Sequence, residues 1–214
     1  MKFTLNGKKI EVIDAWHKLN FAQYLRVLNL KNDMAEVFSI ITGLDYETVK
    51  NSKIQGLESL LYCAQFMNVP PTVPDKITKV GKYKLPVNNQ GEFDIQFESL
   101  AQFEDMRKIL QSVSTEDIHA FTRAYASYVA IYLQKIRDKE YDPMKAQEME
   151  DEVLKMPALE VLAAGSFFTV KLLNLLNGTP KNSRNTPQSR KKPTGTRSRK
   201  RSARTQRSTG YRGK

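Results

Sequence analysis

Residues 118–136 read IHAFTRAYASYVAIYLQKI. Ile118, Phe121, Tyr125, Tyr128, Val129, Tyr132, Leu133 and Ile136 recur at three- and four-residue intervals, which puts them on one face of a helix about five turns long. Ser114 or Thr115 offers its start. A helix of this length needs neighbours, and the sequence supplies them on both sides. Asp142-Pro143 places a capping side chain before a proline at the first helical position, a strong start signal. Pro157 repeats the device for a last helix that stops near Gly178. That last helix is apolar on most sides, with a narrow polar stripe through Glu160, Lys171 and Asn174, so it belongs in a core or against a partner. Residues 113–178 therefore read as purely helical.

Upstream the pattern is mixed. Phe3-Thr4-Leu5, Asn6-Gly7 and Lys8 to Ile13 read as a β-hairpin, because both central residues of the tightest hairpin turn need positive φ. Asn20 with Gln23 reads as a capping box that opens a helix facing inward through Phe21, Leu25 and Leu28. Asp33 with Glu36 opens the next helix, which buries Val37, Phe38 and Ile41 and ends at Gly43. A short helix over 45–50 and another over 54–68 follow, and then Pro70, Pro71 and Pro74 break the chain. Beyond them the opening recurs weakly. Residues 77–80, Gly81 and 82–87 form a second hairpin, and Ser99 with Gln102 opens a second capped helix. Ala22-Gln23-Tyr24 matches Ala101-Gln102-Phe103. The expected fold is mainly α with a minor β part: two short hairpin–helix units at 1–69 and 76–112, and a helical remainder.

Charge divides the chain sharply. The net charge is +11, yet 13 of the 34 Lys and Arg lie in residues 179–214, a stretch with no Asp or Glu. The remaining 21 face all 23 acidic residues, so the body 1–178 is close to neutral. The stretch 179–214 is Ser, Thr, Arg, Lys, Pro, Gly, Asn and Gln, with Tyr211 as its only aromatic residue and Ala203 as its only aliphatic one. It buries too little apolar surface to offset its ordering entropy and is expected to be disordered when free. Arg190, Lys191, Lys192, Arg197, Arg199, Lys200, Arg201, Arg204 and Arg207 are its candidate contacts to phosphate in DNA or RNA, or to an acidic protein surface. The clusters also fit a nuclear-import signal or a solubilising tail. Few aromatics interleave them, which argues against base stacking.

Chemistry-bearing patterns are scarce. His17 and His119 stand at no metal-ligand spacing, no Gly-rich phosphate loop occurs, and no Ser sits in a nucleophile elbow. The one cysteine, Cys63, lies among Leu60, Leu61, Tyr62 and Phe66 and reads as a small core residue in a reducing compartment. The acidic run Glu148 to Glu152 reads as a solvated helix face. No enzyme, metal or cofactor is expected. The N-terminus has no apolar signal core, and the apolar run 161–176 is short and interrupted for a membrane span, so a soluble chain without a membrane role is expected.

Four stretches together resemble a known family. They are Asn6-Gly7-Lys8 leading to Trp16, and Ser39-Ile40-Ile41-Thr42-Gly43-Leu44 before a short helix. The others are the second hairpin with its Gln102-Phe103 helix, and the run from Ile131 through Tyr141-Asp142 to Phe167-Phe168. The chain resembles tail assembly chaperone-like proteins of bacteriophages and prophages of the Bacteroidota type. The resemblance implies a non-enzymatic assembly role in the host cytoplasm, in which a tape measure protein or another virion protein is held soluble as a helical partner. Tyr125, Tyr128, Tyr132, Phe167, Phe168 and Leu172 are the expected partner-helix contacts, although the same residues also fit an ordinary core. The basic tail is no part of this resemblance. It suggests a rival, a virion-associated structural protein that grips nucleic acid. Oligomeric state and the partner's identity stay open.

Overall fold

The computed structural model describes residues 2–5, 8–31, 33–52, 57–89 and 99–177. The chain divides after Thr179. The expected disordered tail, with Arg190, Lys191, Lys192, Arg197, Arg199, Lys200, Arg201, Arg204 and Arg207, lies outside the described residues.

The fold is mainly α with two small antiparallel hairpins. β1 (Lys2–Leu5) pairs with β2 (Lys8–Glu11), with Phe3 opposite Ile10; the Asn6-Gly7 turn is outside the described residues. A 3-10 turn over Trp16–Lys18 leads to α1 (Phe21–Leu28). Its capping box is complete: Asn20 Oδ1 accepts from the Gln23 amide at 2.8 Å, and Gln23 Oε1 accepts from the Asn20 amide at 3.0 Å. α2 (Met34–Thr42) is capped by Asp33 and stops at Gly43, whose φ of 69° is the left-handed conformation that a helix end requires. Ser39 reinforces the stop by donating to the Leu44 carbonyl at 2.6 Å. α3 (Tyr46–Lys50) follows, then α4 (Leu57–Ala64), which tightens into a 3-10 turn over Gln65–Asn68. The helix expected over 54–68 is therefore mixed, α to Ala64 and 3-10 beyond it, and residues 54–56 lie outside the described residues.

The second hairpin is also shorter than expected, with β3 (Lys79–Val80) and β4 (Tyr83–Lys84) turning at Gly81, φ 57°. It is latched to the helical part. The Gly81 amide donates to Glu160 Oε2 at 2.7 Å, while Lys82 and the Tyr83 hydroxyl both reach Glu152. α5 (Leu100–Ser112) is capped by Ser99, but Gln102 does not return the bond to its cap. Its amide donates across to the Ile131 carbonyl at 3.4 Å. Gln23 makes the equivalent bond to the Ile40 carbonyl at 3.2 Å, so the first turns of α1 and α5 each send a glutamine amide onto a neighbouring helix.

α6 (Ile118–Asp138) begins three residues later than a Ser114 cap and two later than a Thr115 cap would allow. Ser114 Oγ accepts from the Glu116 amide in a tight turn, which leaves Asp117 to cap the helix. The middle of α6 is buried all round, from Tyr128 to Gln134. It is the centre of the larger core, with α1, α5, α7 (Pro143–Val153) and α8 (Ala158–Leu176) packed on it. Pro157 stands at the cap of α8 rather than one residue inside it, and no side chain caps this end. The backbone does so instead: the Ala158 amide donates to the Leu19 carbonyl at 2.9 Å, and the Phe21 amide to that of Met156 at 2.9 Å. A smaller cluster of Val12, Phe38, Ile41, Val49, Leu60 and Cys63 holds the first hairpin against α2, α3 and α4.

Candidate functional site

Three short helices that bury one face each leave a groove between their other edges. α1 commits Phe21, Tyr24 and Leu25 to the larger core, and α2 and α4 commit Phe38, Ile41, Leu60 and Cys63 to the smaller one. Val27, Leu30, Met34, Val37, Leu61 and Met67 are left along the seam and line a groove of about 390 Å³ with no charged residue in its wall among the described residues. Met34 and Leu61 are 43% and 41% exposed at its mouth. Two methionines give the lining the adaptable shape of surfaces that accept varied apolar side chains.

The groove is held open by polar ties at its ends. The Arg26 guanidinium donates to Glu36 at 2.9 Å and to Ser39 Oγ at 2.8 Å, fixing α1 to α2. On the other side the Trp16 indole donates to the Val69 carbonyl at 2.9 Å. Its ring meets Tyr24 and Phe66 edge-on, with centroids 5.7 and 5.1 Å away. The wall that follows α4 is thereby pinned to α1. A preformed groove loses less conformational entropy on binding than one that must assemble.

A second recess, about 350 Å³, lies between α5, α6 and α7. Its charged groups are paired. The Tyr141 hydroxyl donates to Asp105 at 2.7 Å, and Lys108 bonds the same carboxylate at 3.0 Å. Glu150 accepts from Arg123 at 2.7 Å and from Ser127 at 2.9 Å. Burial together with the Asp105 bond pushes the Tyr141 hydroxyl above the usual tyrosine range. The acidic run on α7 is thus only partly solvated: Glu148 and Asp151 are exposed, whereas Glu150 and Glu152 bind α6 and the second hairpin.

The aromatic residues expected to meet a partner helix are largely covered by the body. Tyr128, Tyr132, Phe168 and Leu172 are 1%, 5%, 1% and 1% exposed, which corrects their assignment to a free surface. The physical reason is that α6 and α8 face each other, with the Tyr132 and Phe168 rings 4.9 Å apart. Burial pushes the Tyr128 hydroxyl up to about 12, and that oxygen has no hydrogen-bond partner among the described residues. Tyr125 is half-buried against Gly165, and Phe167 is half-buried under the Lys171 ammonium.

The exposed apolar residues of α8 lie further on. Val170, Leu173, Leu175 and Leu176 are 57%, 41%, 53% and 39% exposed, so the last two turns overhang the core. α8 is also, by length and composition alone, apolar enough to cross a bilayer, and 44% of it is buried in the body. Among the described residues no group of three or more His, Cys, Asp or Glu could hold a metal ion. His17 is exposed, His119 is half-buried, and Cys63 is buried.

Protein-family models, curated proteins and solved structures contain no match to this chain.

The groove residues escaped the sequence reading. Val27 and Leu61 stand within helices and Leu30 just past the end of one, and a second apolar edge on so short a helix looks like the margin of the first. The overhang had a signal, since the last helix is apolar on most sides, but no sequence feature marks where the core beneath it ends.

Proposed function

We propose that this chain is a non-enzymatic assembly protein of the tail assembly chaperone kind, which holds an amphipathic helix of a virion protein in the groove between α1, α2 and α4. The single observation that supports the reading is that uncharged, preformed groove, with Met34 and Leu61 open at its mouth. Helix-in-groove recognition uses apolar anchors one turn apart, and such a trough accepts them without leaving a buried charge unpaired. The stretches that resemble the phage chaperones also build its frame. Trp16 and the Ser39–Leu44 stop fix its two walls.

Co-expression with the tape measure protein of the same phage tests this. The expected result is a larger soluble fraction of that protein, lost in Leu61→Glu and kept after truncation at Gly178. A soluble fraction indifferent to the chain would overturn the reading.

A second reading rests on composition. Thirteen Lys and Arg without one acidic residue in 179–214 favour a virion-associated structural protein whose tail neutralises nucleic-acid phosphates. It is tested by retention on DNA at low salt, with and without the tail.

A further inference from the structure

The body carries two apolar features that its own core leaves uncovered, and among the described residues they do not touch within one molecule. α8 is tied to the start of α1 by the Asn20–Pro157 bridge and by the Phe21–Met156 and Ala158–Leu19 backbone bonds. From that tie Leu175 is 18 residues away along one straight helix, or about 27 Å. Val27 in the groove is seven residues from the same tie along α1, or about 10 Å. Allowing about 5 Å for the paired Asn20 and Pro157 backbones, Leu175 and Val27 stand at least roughly 11 Å apart whatever the angle between the helices, and no described α8 residue lines the groove. α8 also runs parallel to α6, as the pairs Tyr125–Gly165 and Tyr132–Phe168 require. Its last turns therefore leave the body beyond the α6–α7 turn.

The two features match in chemistry. The overhang from Leu173 to Asn177 has no charged residue, and neither has the groove wall among the described residues. Leu173 and Leu176 stand one turn apart, the spacing with which a helix fills an apolar trough. We infer that the α8 overhang of one copy seats in the α1–α2–α4 groove of a second copy, so that the chain associates head to tail. Such a contact is heterologous: each copy offers one knob and one groove, and the assembly either closes into a ring or continues as a filament. The same groove is the one proposed for the helical partner. Self-association then covers it in the absence of that partner, and the partner must displace the neighbouring copy. The inference shares the groove with the proposed function but does not depend on it, because its test uses the purified chain alone.

The test is sedimentation equilibrium of the full-length chain, freed of nucleic acid by nuclease and high salt, over a wide concentration range. The wild type is expected to rise with concentration to masses above the dimer. Leu173→Glu/Leu176→Glu removes the knob, while Leu61→Glu and, on the facing wall, Met34→Glu each remove the groove. All four positions are exposed, so circular dichroism should match the wild type. Each variant is expected to be monomeric alone. The decisive arm is an equimolar mixture of the knob variant with a groove variant, which has one intact contact left and should form a one-to-one heterodimer and nothing larger. A mixture that stays monomeric overturns the inference. So does association in Leu61→Glu and Met34→Glu equal to that of the wild type, which would indicate α8 pairing with α8. A wild type monomeric throughout also overturns it, and if that chain then floats with uncharged phosphatidylcholine vesicles while Leu173→Glu/Leu176→Glu does not, the overhang belongs to a bilayer.

Discussion

Gly165 of α8 lies against the root of the Tyr125 side chain of α6: a Cβ at Gly165 would stand 2.7 Å from Tyr125 Cδ2 and nearer still to its Cβ and Cγ. Only a residue without a side chain lets the two helices approach this closely. Gly165→Ala is expected to cost roughly 1–3 kcal/mol, the range for overpacked cores, and to lower the urea midpoint and the melting temperature. Because the Tyr125 Cβ is itself in the way, shortening Tyr125 to Ala should not restore the loss. A Gly165→Ala cost that vanished in the Tyr125→Ala background would mean that the ring alone sets the spacing.

Gln134 is the knot between α6 and α7. Its side chain is fully buried. Nε2 donates to Asp138 Oδ2 at 3.1 Å and to the Glu140 carbonyl at 3.0 Å, and Oε1 accepts from the Asp142 amide at 3.1 Å. Gln134→Leu keeps the volume and removes all three bonds. A loss of about 1–3 kcal/mol is expected from backbone groups left unpaired. Hydrogen exchange at the Asp142 amide should accelerate more than exchange in the middle of α6. Uniform acceleration would mean the bonds do not act locally.

Acid should loosen the latch of the second hairpin and the end of α6. Hydrogen bonds from Arg137 first, and then Gln134, hold Asp138 at about 2. The Lys82 bond leads in holding Glu152 below its ordinary value; burial opposes it and Tyr83 assists. Both acids have folded values below their unfolded ones, so the unfolded chain takes up more protons as pH falls. Their contribution is complete above about pH 4.5 and is lost as pH drops toward about 2. The melting temperature should fall across that window, and Glu152→Gln with Asp138→Asn should flatten the fall. An equally steep fall in the double variant would place the acid sensitivity elsewhere.

Truncation after Gly178 should abolish retention on DNA if the tail grips phosphate. The full-length affinity should fall by orders of magnitude as salt rises, with a log–log slope that scales with the number of neutralised phosphates. Filter binding at several salt concentrations measures it. Retention by the truncated body would move the nucleic-acid site into residues 1–178.

The sequence by itself determined the elements and the points at which they start and stop. Asn20, Asp33, Asp45, Ser99 and Asp142 each cap a helix, and Gly43 ends one, because capping depends on side chains within three or four residues of the backbone they satisfy. Inward faces were legible for the same reason: helical period is local. The start of α6 was misread because Ser114, Thr115 and Asp117 all make acceptable caps, and the choice fell to a turn in which Ser114 was already engaged. Only the tertiary structure decided what lies beyond a helix's main face. Tyr128, Tyr132, Phe168 and Leu172 read equally as core or as surface until α8 was laid along α6, and Gly165 allows that contact to be close. The groove over Val27, Met34 and Leu61, and the overhang from Leu173 to Leu176, exist because packing ends where it does. Exposure is a property of neighbours distant in sequence, and no local pattern encodes where a neighbour stops.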